Sequence, residues 1–229
     1  MRVATVTRMR EAYTHQLEGI VDDMVSMTTT VRAAVEQATQ ALLEADAGAA
    51  ETVIAGDKLI DDARERVEET SFQLLATQQP VAGDLRMLVA TLRIVADLER
   101  MGDLAVHVAK IARMRMPDRA VPPTLRPTIA NMAETAERMV DETARIIADR
   151  DVDAALALEA EDEEMDRLRR SMFRILLDEE WPHGVEPAID LALLGRYYER
   201  IADHSVSMAR QVVYLVTGER PARADGIIS

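Results

Sequence analysis

The sequence predicts an all-α protein built as two pseudo-symmetric three-helix bundles in tandem. Three observations predict it. Hydrophobic residues make up 48% of the 229, yet aromatics only 3%, and glycine and proline are sparse at 9 and 8. An apolar complement drawn mainly from Ala, Leu, Val and Met favours long packed helices over sheet. Prolines crowd into MPDRAVPPTLRP, residues 116–127, a stretch no continuous helix can cross. The patterns on one side of that stretch return on the other: ER-x-x-D stands at 99–103 and again at 199–203.

The elements follow in order. Helical periodicity begins near Met9, so residues 1–8 read as a disordered lead-in or an upstream start, and the first helix covers about 9–45. Ala47-Gly48-Ala49 marks a connection to a second helix near 50–77. Gln79-Pro80-Val81-Ala82-Gly83-Asp84 is a stronger break, with Asp84 as candidate N-cap of a third helix over 84–115. These three form a first bundle, 9–115, and residues 116–123 a proline-rich linker. The second bundle, 124–216, holds helices near 124–149, 153–179 and 186–216, with Trp181-Pro182-His183-Gly184 breaking it at the matching place. Thr217-Gly218 ends the last helix, and 217–229 reads as a flexible tail.

Bulk charge narrows the function classes. The net charge is −14, and a surface this acidic repels a phosphate backbone, so nucleic acid is not an expected partner. No apolar run approaches the roughly 18–20 residues of a membrane span, and the N-terminus lacks the apolar core of a signal peptide. A cytoplasmic location is expected, with membrane association only through partners. Cysteine is absent, which excludes disulfides and thiolate metal sites.

The acidic pairs carry the chemistry. Leu92, Val95, Glu99, Gly102, Val106 and Ala109 match Ala192, Gly195, Glu199, Ala202, Val206 and Ala209 at an offset of 100. Spacings of three and four put each set on one helix face, so Glu99 and Glu199 interrupt apolar, small-residue stripes. The second helix of each half also repeats: Asp57 and Asp61 in DKLID, Asp162 and Asp166 in DEEMD. Asp57 lies in the stripe Val53, Ile60, Val67, Leu74, and Asp162 in Leu158, Met165, Met172. Folding the second and third helices of each half into an antiparallel hairpin brings the pairs level, roughly 30 Å from the turn at about 1.5 Å per residue. Asp57, Asp61, Glu99 and Asp103 then make one cluster, and Asp162, Asp166, Glu199 and Asp203 the other.

Facing carboxylates repel, and partial burial adds desolvation to the repulsion. Arg100 and Arg200 point about 100° round the helix from the preceding Glu, so a multivalent cation is the simpler counter-charge. All-carboxylate sites suit hard cations, namely magnesium, manganese, iron or calcium, with zinc a poorer fit. The plain alternative for each pair is a solvated helix face. His107 and His204 read as surface or capping groups, or as groups behind the acids. His15 and His183 have no arguable partner, and Met165 and Met172 read as core fillers.

These residues resemble the PhoU family. The likeness runs from about residue 9 to 216 and is closest in PVAGDLRMLVATLRIVADLERMGDLAVHVAKIA and LLGRYYERIADHSVSMAR. WPHGVEPAIDLALLGRYYER resembles the actinobacterial branch. The resemblance implies two three-helix bundles related by pseudo-twofold symmetry. It implies a cytoplasmic negative regulator of phosphate uptake and starvation signalling, without catalytic activity. Its partners would be a phosphate ABC transporter ATPase and a sensor histidine kinase, and a homodimer is expected. Some members carry metal clusters on (E/D)-x-x-x-D motifs, which here fall on Asp57/Asp61, Glu99/Asp103, Asp162/Asp166 and Glu199/Asp203. Many relatives have Asn one turn after the second acid, where this sequence has His107 and Ser207.

Two other classes compete. A ferritin-like di-iron carboxylate enzyme needs Glu-x-x-His from two helices, and the one instance, Glu180 to His183, runs through Trp181-Pro182. A metal-free helical adaptor of another signalling system would use the acids as partner-facing surface. Neither a glycine-rich phosphate loop nor a nucleophile constellation is present.

Overall fold

The computed structural model describes residues 2–219 and is helical throughout, with six helices and no strand among the described residues. They are α1 (Arg2–Glu44), α2 (Ala47–Gln78), α3 (Gly83–Arg115), α4 (Arg126–Asp149), α5 (Val152–Leu176) and α6 (Val185–Thr217). Helix α1 begins seven residues before the expected start, because nothing between Arg2 and Met9 breaks a helix: the segment holds no glycine or proline. The expected tail is shortened from the other side. Thr217 is still helical and Gly218 closes α6 in the left-handed region at φ 79, its N–H donating to Tyr214 O; residues 220–229 lie outside the described residues.

The turn into the second helix of each half repeats. Ala45 and Arg150 both take positive φ, at 58 and 54. Each is followed by an aspartate cap: Asp46 Oδ1 accepts from Ala49 N and Asp151 Oδ1 from Ala154 N, both at 3.0 Å. These caps satisfy N–H groups that the first helical turn leaves unpaired, and they start α2 and α5 earlier than the sequence pattern suggested. Asp84 is not the N-cap of α3. Ala82 holds that position, and Asp84 sits inside the first turn, where its charge favours the helix N-terminus. Helix α5 stops at Leu176, three residues early, and the segment to Gly184 forms the turn into α6.

The proline-rich linker is packed rather than loose. After the cis Met116–Pro117 bond, Ala120, Val121 and Leu125 are buried at 5%, 1% and 1% exposure. A single 3-10 turn at Pro123–Leu125 then leads into α4, with a proline in its opening turn.

Helices α1–α3 pack on one another, as do α4–α6, and the two sets join through α3 against α6 and α1 against α4. The α3–α6 contact is antiparallel. Arg93 donates to Gln211 Oε1 at 3.2 Å, Asp97 meets His204 at 2.9 Å, His107 stacks on Tyr197 at 5.3 Å, and Arg115 clasps Asp190. The pseudo-twofold axis therefore passes near Met101 and Ile201. One continuous core spans both halves, so four helices form the centre and α2 and α5 flank it. Met165 and Met172 are fully buried in that core. No described helix is long and apolar enough to cross a membrane.

Candidate functional site: two carboxylate grooves

Each flanking helix meets its neighbour along a groove in which the acids collect. Gly102 sets the approach in the first: a methyl group there would lie 2.8 Å from Ile60 Cδ1 and 3.5 Å from Asp57 Oδ1. Glycine thus lets α3 come against α2 at the level of the acids. In the second groove the corresponding pair is Ala202 and Met165, and the tight contact moves to Gly195 against Met172 Cε.

The structure places the four acidic pairs in two sets, as the hairpin geometry requires. Burial raises the pKa of Asp57, and the charges of Asp61, Asp103 and Glu99 raise it further, against an opposing contribution from Lys110. Burial pushes Asp162 up to about 6, reinforced by Asp203, Asp166 and Glu199 and opposed by Arg210. Asp61 and Asp203 are exposed, Asp57, Asp103, Asp162 and Asp166 half-buried. Glu199 is buried, its side chain 9% exposed against 19% for Glu99.

Basic side chains that the sequence reading did not weigh also face the acids. Arg64 NH1 of α2 stands 3.7 Å from Glu99 Oε1, and Arg169 Nε of α5 stands 3.3 Å from Glu199 Oε1. Both arginines come from the flanking helix, at positions 105 residues apart like the aspartates before them. Arg196 also donates to Glu199 Oε2. Arg100 reaches both Glu99 and Asp103, at 3.7 and 3.8 Å, which corrects its expected orientation: a long side chain bends back along the helix over the 100° that separates the Cβ directions. Arg200 stays exposed. Lys110 and Arg210, equivalent at an offset of 100, add a second basic group to each groove.

Sequence reasoning passed over Arg64, Arg169, Lys110 and Arg210, although D-x-x-x-D-x-x-R reads identically at 57–64 and 162–169. His107 is exposed, in keeping with a surface reading, but His204 is partly buried and plays neither expected role. His204 does not support Asp203; its Nδ1 faces Asp97 Oδ1 across the α3–α6 contact. His107 stacks on Tyr197 and His183 meets Trp181 edge-on at 4.8 Å.

The donor set suits a hard cation, since each groove offers four carboxylates and no softer ligand. With Glu99 and Glu199 turned to arginine, no group of three or more carboxylate or imidazole side chains among the described residues stands at ligand spacing. A cation would need those side chains to rotate.

Comparison with known proteins gives a consistent result. Residues 24–112 and 129–212 match the family model described as the PhoU domain, one match to each half. The chain is 44% identical to the phosphate-specific transport system accessory protein PhoU homolog 2 of Mycobacterium tuberculosis, over 93% of this chain and 100% of that one. It is 43% identical to homolog 1 of the same organism, over 93% and 96%. Among solved structures, PhoU from Pseudomonas aeruginosa superposes with a TM-score of 0.84 at 30% identity, covering 90% of this chain and all of the other.

Proposed function

The chain belongs to the PhoU family, and from that premise we propose that it is an accessory protein of a phosphate-specific transport system that restrains phosphate uptake and starvation signalling. In this reading it works in the cytoplasm by docking, not by turnover. One surface engages the ATPase of a phosphate ABC transporter and another a sensor histidine kinase, and the protein pairs as a homodimer. The observation that carries the reading is the 44% identity to a phosphate-specific transport accessory protein across that protein's whole length. Because Mycobacterium tuberculosis has two such homologues, the test removes every PhoU gene of the host and restores this one alone. Starvation genes should be on in phosphate-rich medium in the deletion strain and off after restoration. Expression that stays high after restoration overturns the regulatory reading.

The proposal extends to the grooves as seats for hard cations such as magnesium, manganese, iron or calcium. What supports it is the donor set, together with the burial and, after it, the neighbouring carboxylate charges that raise Asp57 and Asp162. Asp57, Asp61, Glu99 and Asp103 would hold one cation, and Asp162, Asp166, Glu199 and Asp203 the other. A cation there supplies positive charge that draws the facing carboxylates together and binds only the folded hairpin, stabilising it by about 2.7 kcal/mol at a hundred times the dissociation constant. Metal analysis after dialysis, with melting temperatures in manganese, magnesium and iron, tests this. Unchanged melting in all three removes the cations and leaves the acids as partner-facing surface.

A further inference from the structure

We infer that Arg64 and Arg169 are built-in counter-ions that a cation must displace, so that loading each groove swings an arginine off Glu99 or Glu199 towards the outer surface. The inference rests on the grooves being cation seats, and it names what regulates them. A guanidinium and a metal ion brought to the same carboxylate oxygen repel each other and compete for its lone pairs. Each arginine is placed to leave. It comes from the flanking helix and its side chain is about one-third exposed, 34% for Arg64 and 31% for Arg169. The Arg169 Nε that faces Glu199 is buried without a well-directed hydrogen bond, and the Arg64 NH1 contact with Glu99, at 3.7 Å, is longer than a hydrogen bond, so each resting contact is an imperfect one that is cheaply given up.

Each arginine also has a second partner one turn further along its own helix, again 105 residues apart. Arg64 Nε lies 3.4 Å from Glu68 Oε1, and the Arg169 guanidinium lies over the Phe173 ring at 5.8 Å. Those groups receive the side chain once it is released: a carboxylate in the first half, an aromatic face in the second. The difference sets an order. Arg64 is held at 3.7 Å by a partly exposed Glu99 and has an ionic alternative. Arg169 is held at 3.3 Å by a buried Glu199 that Arg196 also grips. The first groove therefore loads at the lower cation concentration. Loading also changes what a partner meets, since it covers acids and frees arginines on one face.

The test uses the full chain, stripped with chelator and titrated calorimetrically with manganese. Wild type should show two classes of site. Arg64→Gln and Arg169→Gln should each tighten their own groove by about twofold to fivefold, the worth of one part-exposed ion pair, and leave the other groove unchanged. Nuclear magnetic resonance of the wild type with diamagnetic magnesium keeps the inference testable if Arg169→Gln folds poorly: the Nε–Hε signal of Arg64 should shift first and that of Arg169 second. If wild type binds manganese but neither variant binds more tightly and neither arginine signal moves, the displacement is wrong and the cation reading stands. If neither wild type nor variants bind, the cation reading fails and the displacement falls with it.

Discussion

Glu99 and Glu199 hold the same place in their halves, yet the first keeps 19% of its side chain in solvent and the second 9%. The surroundings differ to match. Position 96 is alanine where position 196 is arginine, and that arginine donates to Glu199. Arg64 shares itself between Glu99 and Glu68, whereas Arg169 turns to Glu199 and the Phe173 ring. The backbone repeat is close, down to the positive φ of Ala45 and Arg150 and the caps that follow them. What has diverged is how negative charge is neutralised. A shallow groove tolerates loose pairing because water screens it; a deep one needs arginine at short range. The halves share a skeleton and differ in electrostatics, which is where they should differ in response to cations, protons and mutation.

The largest expected effect lies where the symmetry is broken outright. Asp190 is buried at 3% exposure, and its equivalent in the first half is Ala90. Arg115 Nε and NH2 donate to its two oxygens at 2.5 and 3.0 Å, and Arg115 also binds Glu186. Replacing Arg115 with Leu leaves a carboxylate buried and unpaired, so the melting temperature should fall by on the order of 5–10 °C. The double change Arg115→Leu with Asp190→Leu should recover most of that loss. If the single change alone is neutral, the clasp contributes nothing and the halves are more alike than the structure makes them.

Much of this was legible in the sequence. The proline cluster and the two offsets, 100 on α3/α6 and 105 on α2/α5, were enough for the helix count, the hairpins and the level placement of the acids, because helical rise is fixed. Three features were not, each for a physical reason. The caps Asp46 and Asp151 were hidden because an aspartate ahead of a helix carries no periodic signal. The arginines were hidden because a guanidinium reaches further than its Cβ direction indicates. The Asp97–His204 and Arg115–Asp190 contacts were hidden because they join the halves, and repeats within each half say nothing about the angle between them.

Protons should separate the grooves next. Asp162 titrates at about 6 in the folded protein against 3.8 as its ordinary value, because burial and its acidic neighbours disfavour the ionised form. A raised carboxylate works against the fold when ionised, so the penalty is present above pH 6 and disappears as pH falls towards 4. Without metal, Asp162→Asn should be more stable than wild type by about 1–2 kcal/mol at pH 7.5, a figure reduced from the full shift because the group is only half-buried. The gap should close in melts at pH 4.5. Asp57→Asn should move the same way by less, since Asp57 is covered less deeply. Equal gaps at both pH values would remove the ionisation of Asp162 from the account.

Glycine distinguishes the grooves by the stiffness of what faces it. A methyl group at Gly102 would sit 2.8 and 3.3 Å from Ile60 Cδ1 and Cγ2, and one at Gly195 only 2.1 Å from Met172 Cε. The shorter distance should be the cheaper one. Met172 offers the end of an unbranched side chain that can swing aside, whereas Ile60 is β-branched and fixed near its backbone. Overpacking costs about 1–3 kcal/mol, and alanine returns up to about 1 kcal/mol of helix propensity. Gly102→Ala should therefore lose about 1 kcal/mol and widen the first groove, while Gly195→Ala stays near neutral in the same denaturant titration.

The smallest expected effect tests whether a buried hydrogen bond between α1 and α6 adds to the packing of the halves. Leu98 and Tyr198 are equivalent and both fully buried, but only Tyr198 has a hydroxyl, which meets Thr39 Oγ1 of α1 at 2.8 Å. Burial and the nearby Glu137 hold that phenol protonated well above its ordinary range, against the opposing effect of its hydrogen bond with Thr39. Tyr198→Phe keeps the ring and removes the bond. Thr39 is not stranded, because its hydroxyl also reaches Val35 O at 2.8 Å, so the cost should be at the low end for a buried hydrogen bond, about 0.5–1 kcal/mol. The diagnostic is the double change with Thr39→Val. If the bond ties α1 to α6, the two single losses should sum to more than the loss of the double variant. Additive losses would mean that the Thr39–Tyr198 bond adds nothing to the apolar packing of α1 against α6.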